Sequence, residues 1–142
     1  MMQNTLVQAY NQACKETTDL YHDIAQSMGL SDSAFDVLYA MCALEDGCLQ
    51  KDICDHSYLP KQTVHSAVRK LIHDGILRTE PGKGRDVHLF LTEQGQSLVH
   101  DTVLPLMEKE HAVFEAMTPE EGQALIQLTR KYFGLLREKT GF

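Results

Sequence analysis

At 142 residues, with 43% hydrophobic and 23% charged side chains, the chain has the composition of one soluble globular domain, with or without helical extensions. Its formal net charge of −7 argues against bulk, sequence-independent attraction to nucleic acid. It has neither a signal-peptide pattern nor a run of about 18 apolar residues, so a cytoplasmic location is expected.

The first predicted element is a long helix. Leu6, Tyr10, Ala13, Cys14, Thr17, Leu20, Tyr21, Ile24 and Met28 recur at spacings of three and four, which draws an apolar stripe along about six turns. Gly29 ends it. Ser31 is the expected cap of a second helix, in which Phe35, Leu38, Met41 and Cys42 keep the helical period.

A short third helix follows at Leu49 to Cys54, where Leu49 and Ile53 share one face and Gln50, Lys51 and Asp52 remain in water. Asp55 to Leu59 is a turn, and Pro60 suits the first turn of a fourth helix that reads Lys61 to His73. Val64, Val68, Leu71 and Ile72 form its expected buried stripe. Lys61, Gln62, His65, Ser66 and Arg69 fall largely on the other side, which therefore consists of donors and cations. Asp74-Gly75 stops this helix.

Ile76 to Glu80 then reads as a strand ending at Pro81-Gly82, and Val87, Leu89 and Leu91 alternate with His88 and Phe90 as a second strand with one buried face. The two form a hairpin. Its tip, Gly82-Lys83-Gly84-Arg85, joins backbone freedom to two positive side chains, as a loop following a phosphate backbone or entering a minor groove requires. Helix, turn, helix and basic hairpin in this order make a winged helix-turn-helix, and DNA binding is its leading implication.

Beyond the hairpin, Thr92 caps a long helix containing Leu98, Val99, Val103, Leu106 and Met107. Pro105 removes the hydrogen bond to the carbonyl of Asp101, so a kink is expected there. Thr118-Pro119-Glu120-Glu121 is the strongest helix start in the chain, with a capping threonine, proline at the first helical position and glutamate at the third. Leu125, Leu128, Thr129, Tyr132, Phe133 and Leu136 form the stripe of this last helix. The first and last helices would otherwise expose two apolar stripes, and packing them about a twofold axis buries both; periodicity equally allows a monomeric bundle.

Charge is unevenly placed. From Gly47 to Phe90 there are seven Lys/Arg against five Asp/Glu, a net of +2, and the remainder carries −9. A locally basic face on an acidic body is compatible with DNA binding, because phosphate contacts act within a Debye length of about 10 Å.

Taken together these residues resemble the MarR family of bacterial transcription regulators along nearly the whole chain. The resemblance is carried by Leu49-Gln50-Lys51-Asp52-Ile53, by Lys61-Gln62-Thr63-Val64 through Leu71, by His73-Asp74-Gly75-Ile76-Leu77, and by Leu91-Thr92-Glu93-Gln94-Gly95. It implies a mainly α fold with a small β-hairpin wing, one unit over 1–142 with a DNA-binding lobe at 31–91, and a dimerisation region of N- and C-terminal helices at 1–30 and 92–142. It further implies a homodimer on a pseudo-palindromic operator, usually as a repressor, released by a small ligand or by oxidation. The family's wing carries an aspartate two residues before its arginine; Lys83 stands there, Arg85 matches the arginine, and Asp86 is the carboxylate left to orient it.

The expected DNA-binding residues are Lys61, Gln62, Thr63, His65, Ser66, Arg69, Lys83 and Arg85. Gln62, Thr63, His65 and Ser66 suit base edges, and Lys61, Arg69, Lys83 and Arg85 suit phosphate, with Arg85 placed to enter a minor groove. Arg69 has an alternative in a surface ion pair with Asp74 or a nearby carboxylate. By resemblance a small effector enters between the dimer helices and the DNA-binding lobe, which selects Tyr10, Tyr21, Phe35 and Tyr39, each also explicable as core.

Two other forms of control are weighed. Cys14 lies on the first helix but away from the position of the cysteine in peroxide-sensing relatives, and Lys15 is the one cation beside it. The four cysteines show no C-x-x-C spacing and are read as reduced thiols. His22 with Asp19 and Asp23, and Glu108 with His111, each offer two metal ligands, a common coincidence among seven histidines. No G-x-S-x-G, P-loop, H-E-x-x-H or dinucleotide fingerprint occurs, so neither catalysis nor a cofactor is expected. The rival from another class is a winged-helix module that pairs with proteins and has lost DNA affinity. Four cations around one helix and one loop favour DNA.

Overall fold

The computed structural model describes residues 4–142. They form α1 (Thr5–Ser27), α2 (Asp32–Ala43), β1 (Cys48–Leu49), α3 (Gln50–His56), α4 (Lys61–His73), β2 (Leu77–Pro81), β3 (Val87–Leu91), α5 (Glu93–Asp101), α6 (Val103–Ala116) and α7 (Pro119–Thr140). The fold is mainly helical with one small antiparallel sheet. Two compact units divide after Leu104.

In the first unit the caps read from the sequence are in place. Ser31 Oγ accepts the amide of Ala34 at 3.2 Å, and Gly29 takes φ +73° where α1 stops. Pro60 stands one residue earlier than expected, at the N-cap of α4. The core is a layer of apolar side chains from α2, α3, α4, the sheet and the start of α6, with Val37, Leu38, Ile53, Val64, Leu77 and Val103 wholly enclosed. Along α4 the buried positions are Val64, Ala67, Val68 and Leu71; Ile72, expected inside, is 37% exposed, and Ala67 occupies the inner face instead. Alanine reads as neutral in a hydrophobic pattern, but here the helix lies close to its neighbours because the side chain is small.

The wing is more than a hairpin. β1 pairs with β3, Cys48 opposite Leu89 and Leu49 opposite His88, giving a three-stranded sheet of order β1-β3-β2. Two residues with a partner some forty positions away leave no periodic signature, so this strand was not legible. Pro81 ends β2 on the sheet edge, where a missing N–H is tolerated. Of the alternating β3 residues only Leu89 is buried, and Val87 is 48% exposed because the distal half of the hairpin leaves the core.

The predicted helix after Thr92 is divided rather than bent at the proline. Thr102, at φ −129° and ψ −68°, separates α5 from α6, and its Oγ1 donates to the carbonyl of Leu98 at 2.5 Å. Asp101 would have received the missing Pro105 N–H, so the break sits beside the orphaned carbonyl.

The second unit contains most of α6 and all of α7. At its turn Thr118 Oγ1 accepts from the amide of Glu121 at 3.1 Å and the Glu121 carboxylate accepts from the amide of Thr118 at 2.9 Å, the expected reciprocal cap with Pro119 leading the helix. The hydrogen bond from the Thr118 amide, and after it that from the Thr118 hydroxyl, holds the Glu121 carboxyl below the usual glutamate range. No residue of α7 is buried, and no helix among the described residues is long and apolar enough to cross a membrane.

Candidate nucleic-acid interface

Burying Val64, Ala67, Val68 and Leu71 forces the opposite face of α4 into solvent. Gln62, Ser66, Arg69 and His73 run along that face, with Lys61, His65 and Lys70 beside them, all exposed. Thr63 is half-buried on the shoulder next to the core stripe, unlike the other expected base readers. Gln50, the first residue of α3, places its Oε1 3.4 Å from His65 Nδ1 and so ties the two helices together at the exposed edge.

At the start of α4 no side chain caps the backbone, and the Pro60 carbonyl receives its hydrogen bond from Val64. The amides of the first turn therefore point outward beside Lys61 and Gln62, an arrangement suited to an anionic oxygen.

The wing supplies the second cationic element. Five cross-strand pairs, Leu77–Leu91 to Pro81–Val87, carry the tip roughly 17 Å from its root. Gly82 N–H then bonds the Asp86 carbonyl at 2.8 Å and Asp86 N–H bonds the Lys83 carbonyl at 3.1 Å, closing a four-residue turn. Gly84 stands at its first central position with φ +60°, the sign a primed hairpin turn demands there. Lys83 and Arg85 both project from this turn into solvent.

The wing is fixed from two directions. His88 Nδ1 lies 2.6 Å from the Gly47 carbonyl, while a Cβ on Gly47 would come within 2.8 Å of the Phe90 ring. Gly47, at φ +83°, is thus the surface on which both side chains close. On the far side Thr92 Oγ1 donates to the carbonyls of Gly75 and Ile76 at 2.5 and 3.1 Å and accepts from Gly95 N–H at 3.0 Å. A Cβ at Gly95 would fall 2.1 Å from the Ile76 carbonyl, so this junction needs glycine.

Electrostatics sorts the cations. Asp74 is taken by Lys70 at 3.1 Å, which removes the alternative partner weighed for Arg69. Among the described residues Lys61, Arg69, Lys83 and Arg85 enter no ion pair, and Asp86 does not hold Arg85. Arg78 is different: its guanidinium pairs with Glu80 at 2.5 Å and lies 4.6 Å over the Phe90 ring. Lys70 and His73 lie on or beside the exposed α4 face but are absent from the expected set; continuing the same period by one turn, from Ser66 and Arg69, reaches them. Arg78 depends on cross-strand register, for which the sequence holds no signal.

Comparison with known proteins points to one family. The MarR family model matches residues 28–86, which spans α2 through the wing tip. A solved MarR family regulator from Neisseria meningitidis, NMB1585, superposes with a TM-score of 0.72 at 26% identity over 97% of this chain and 96% of that one. The chain is similar to the MarR family over those residues and shares the fold of its solved members. The structure of Staphylococcus aureus MepR in complex with DNA is similar at TM-score 0.72 and 18% identity, covering 94% of this chain and 99% of that. Bordetella bronchiseptica BpsR, whose structure is described as a mechanism for regulation of DNA binding by 6-hydroxynicotinic acid, is similar at 0.69 and 20%, covering 93% and 96%. At such identities these two share the fold alone. No curated protein sequence matches the chain.

Away from this face a cleft of about 480 Å³ opens between α1 and α2, lined by Thr17, Thr18, Tyr21, His22, Phe35 and Tyr58 and by the carboxylates of Asp32 and Asp36. Of the four expected effector residues, Tyr21 and Phe35 line it, with ring centroids 6.4 Å apart. Tyr39 stacks on Phe35 at 5.8 Å and faces a neighbouring hollow. Tyr10 lies three turns up α1 and lines neither.

The other control residues sort by surroundings. His22 Nδ1 contacts both Asp32 carboxylate oxygens at 2.9 and 3.0 Å, so its partner is on α2 rather than the expected Asp19 or Asp23. Lys15 is paired with Asp19, and His111 with Glu115 at 3.4 Å. No group of three metal-ligating side chains is gathered among the described residues. Burial pushes the Cys42 thiol up to about 11 and raises that of Cys48, leaving both unreactive, while Cys14 is exposed.

Proposed function

We propose that the chain is a homodimeric repressor that binds a pseudo-palindromic operator in the cytoplasm and releases it when a small molecule occupies the α1–α2 cleft. The carrying observation is that four cations free of ion pairs among the described residues, Lys61, Arg69, Lys83 and Arg85, gather on α4 and the wing of an otherwise acidic chain. In this reading α4 enters the major groove. Gln62, His65 and Ser66 meet base edges, and Thr63 contributes at the groove wall. Lys61, Arg69 and Lys83 hold phosphates together with the open amides of α4, and Arg85 enters the minor groove.

The remaining assignments follow the division of labour along the chain. Residues 31–91 serve as the DNA-binding lobe, and 1–30 with 92–142 serve dimerisation. Leu6 and Leu20 on α1, and Leu125, Leu128 and Phe133 on α7, are each between 48 and 79% exposed in a single chain, which supports a second copy as their cover. The effector role of the cleft is supported by its aromatic lining and by control of DNA binding by a small molecule in BpsR.

The test is fluorescence anisotropy of the purified protein on DNA from its own upstream region and on a scrambled duplex, across a salt series. Preferential binding that weakens steeply with salt is expected. Equal, weak binding to both duplexes under reducing conditions, with and without added zinc, would favour a protein-pairing winged-helix module instead.

A further inference from the structure

If the α1–α2 cleft is the effector site, as proposed above, its lining also determines the kind of molecule it takes. We infer that the cleft selects an aromatic organic cation, with the positive charge beside Asp36 and the apolar groups against Tyr21, Phe35 and Tyr58. Asp32 and Asp36 are one turn apart on α2 and face the same space. Their situations differ. Both oxygens of Asp32 are engaged by His22 Nδ1, whereas Asp36 is half-buried and, among the described residues, makes no hydrogen bond and no ion pair.

A partly desolvated carboxylate next to a like charge lacks a counter-ion. Burial and the Asp32 charge both raise the Asp36 pKa, as that deficit requires. A ligand that brings a cation removes the deficit, and one that brings an anion deepens it.

The aromatic walls act in the same direction. Ring faces attract a cation within about 6 Å, most strongly away from water. Asp36 and Tyr58 also border the adjoining hollow of about 180 Å³ formed with Tyr39, Ala40, His56 and Ser57, so the charge sits where two recesses meet. His22 is the one cationic group lining the larger cleft, and its ring is already held by Asp32, with Asp19 and Asp23 nearby. It is poorly placed to receive an anion.

The experiment compares tetraphenylphosphonium with tetraphenylborate, ions of one shape and opposite sign, by calorimetric titration of the full-length protein. The expected result is one phosphonium per chain, bound at least tenfold more tightly than the borate. Asp36→Asn should weaken the phosphonium at least tenfold without weakening the borate. Thr18→Trp, which fills the α1 wall, should abolish both, and thermal melts confirm that each variant is folded. Equal binding of the two ions, lost in Thr18→Trp, would overturn cation selectivity while leaving the cleft as the effector site. Phosphonium binding indifferent to both substitutions would place the cation elsewhere and overturn the inference. Binding of neither ion would remove both the inference and the effector role of the cleft.

Discussion

Helices α4 and α7 were drawn from the same kind of pattern, yet they meet opposite fates. α4 encloses Val64, Ala67, Val68 and Leu71 within thirteen residues, whereas α7 carries Leu125, Leu128, Phe133 and Leu136 at equivalent spacing over 22 residues and encloses none. A stripe states that a face must leave water; it does not state against what. In α4 the covering surface belongs to α2, α3 and the sheet of the same compact unit. For α7 the proposed cover is a second chain, so its apolar residues should act on association rather than on folding of one protomer.

Paired truncations separate those roles most strongly. Leu71→Ala should lower folding stability by about 2–5 kcal/mol, because a closely packed site is left with a cavity. The loss, read by urea denaturation, should be the same at every protein concentration. Leu128→Asp should instead convert dimer to monomer in light scattering and reduce operator affinity by more than tenfold, with a melting temperature that no longer varies with concentration. A dimeric Leu128→Asp protein would remove α7 from the interface. Gly95→Ala tests the edge of the first unit: its Cβ meets the Ile76 carbonyl, so about 1–3 kcal/mol should be lost in thermal unfolding, with dimerisation intact.

Smaller effects belong to the surface. Arg85→Ala should weaken operator binding by about tenfold and reduce the salt slope by about one unit, while dimerisation is unchanged. An unaltered slope would take the wing tip out of DNA contact. The least is expected at His22, whose pKa is raised chiefly by its hydrogen bond with Asp32 and then by the charge of that carboxylate. The folded value lies above the unfolded one, so the pair's contribution is fully present below the unfolded pKa and is lost as pH rises through the folded value. Asp32→Asn should bring the imidazole titration, followed by NMR, back toward the ordinary histidine range.

What was legible depended on how far each determinant reaches along the chain. Thr118 and Glu121 satisfy each other's amides within one turn, and Ser31 and Thr92 act over three residues, so these starts could be read directly. Cys48 needs Leu89, and Gly47 needs His88 and Phe90, partners that the fold alone brings together. Ile72 was misplaced because a hydrophobicity pattern overlooks alanine as a close-approach residue. Among the DNA-facing candidates, the α4 face followed from periodicity. The release of Arg69 from Asp74, and the capture of Arg78 by Glu80 and Phe90, are rotamer and register choices with no linear code.

The closure on Gly47 makes the hairpin a lever rather than a free arm. Its fulcrum is a single backbone position between α2 and β1 that bears on His88, and its load is the pair of cations three and five residues from that histidine, Arg85 and Lys83. Rotation of that position by a few degrees would sweep the tip through about 1 Å, on the scale of a hydrogen bond made or lost. A tilt at the end of α2 would therefore be felt at Arg85. The glycine's dihedral angles are the gearing between the body of the molecule and the groove it reads.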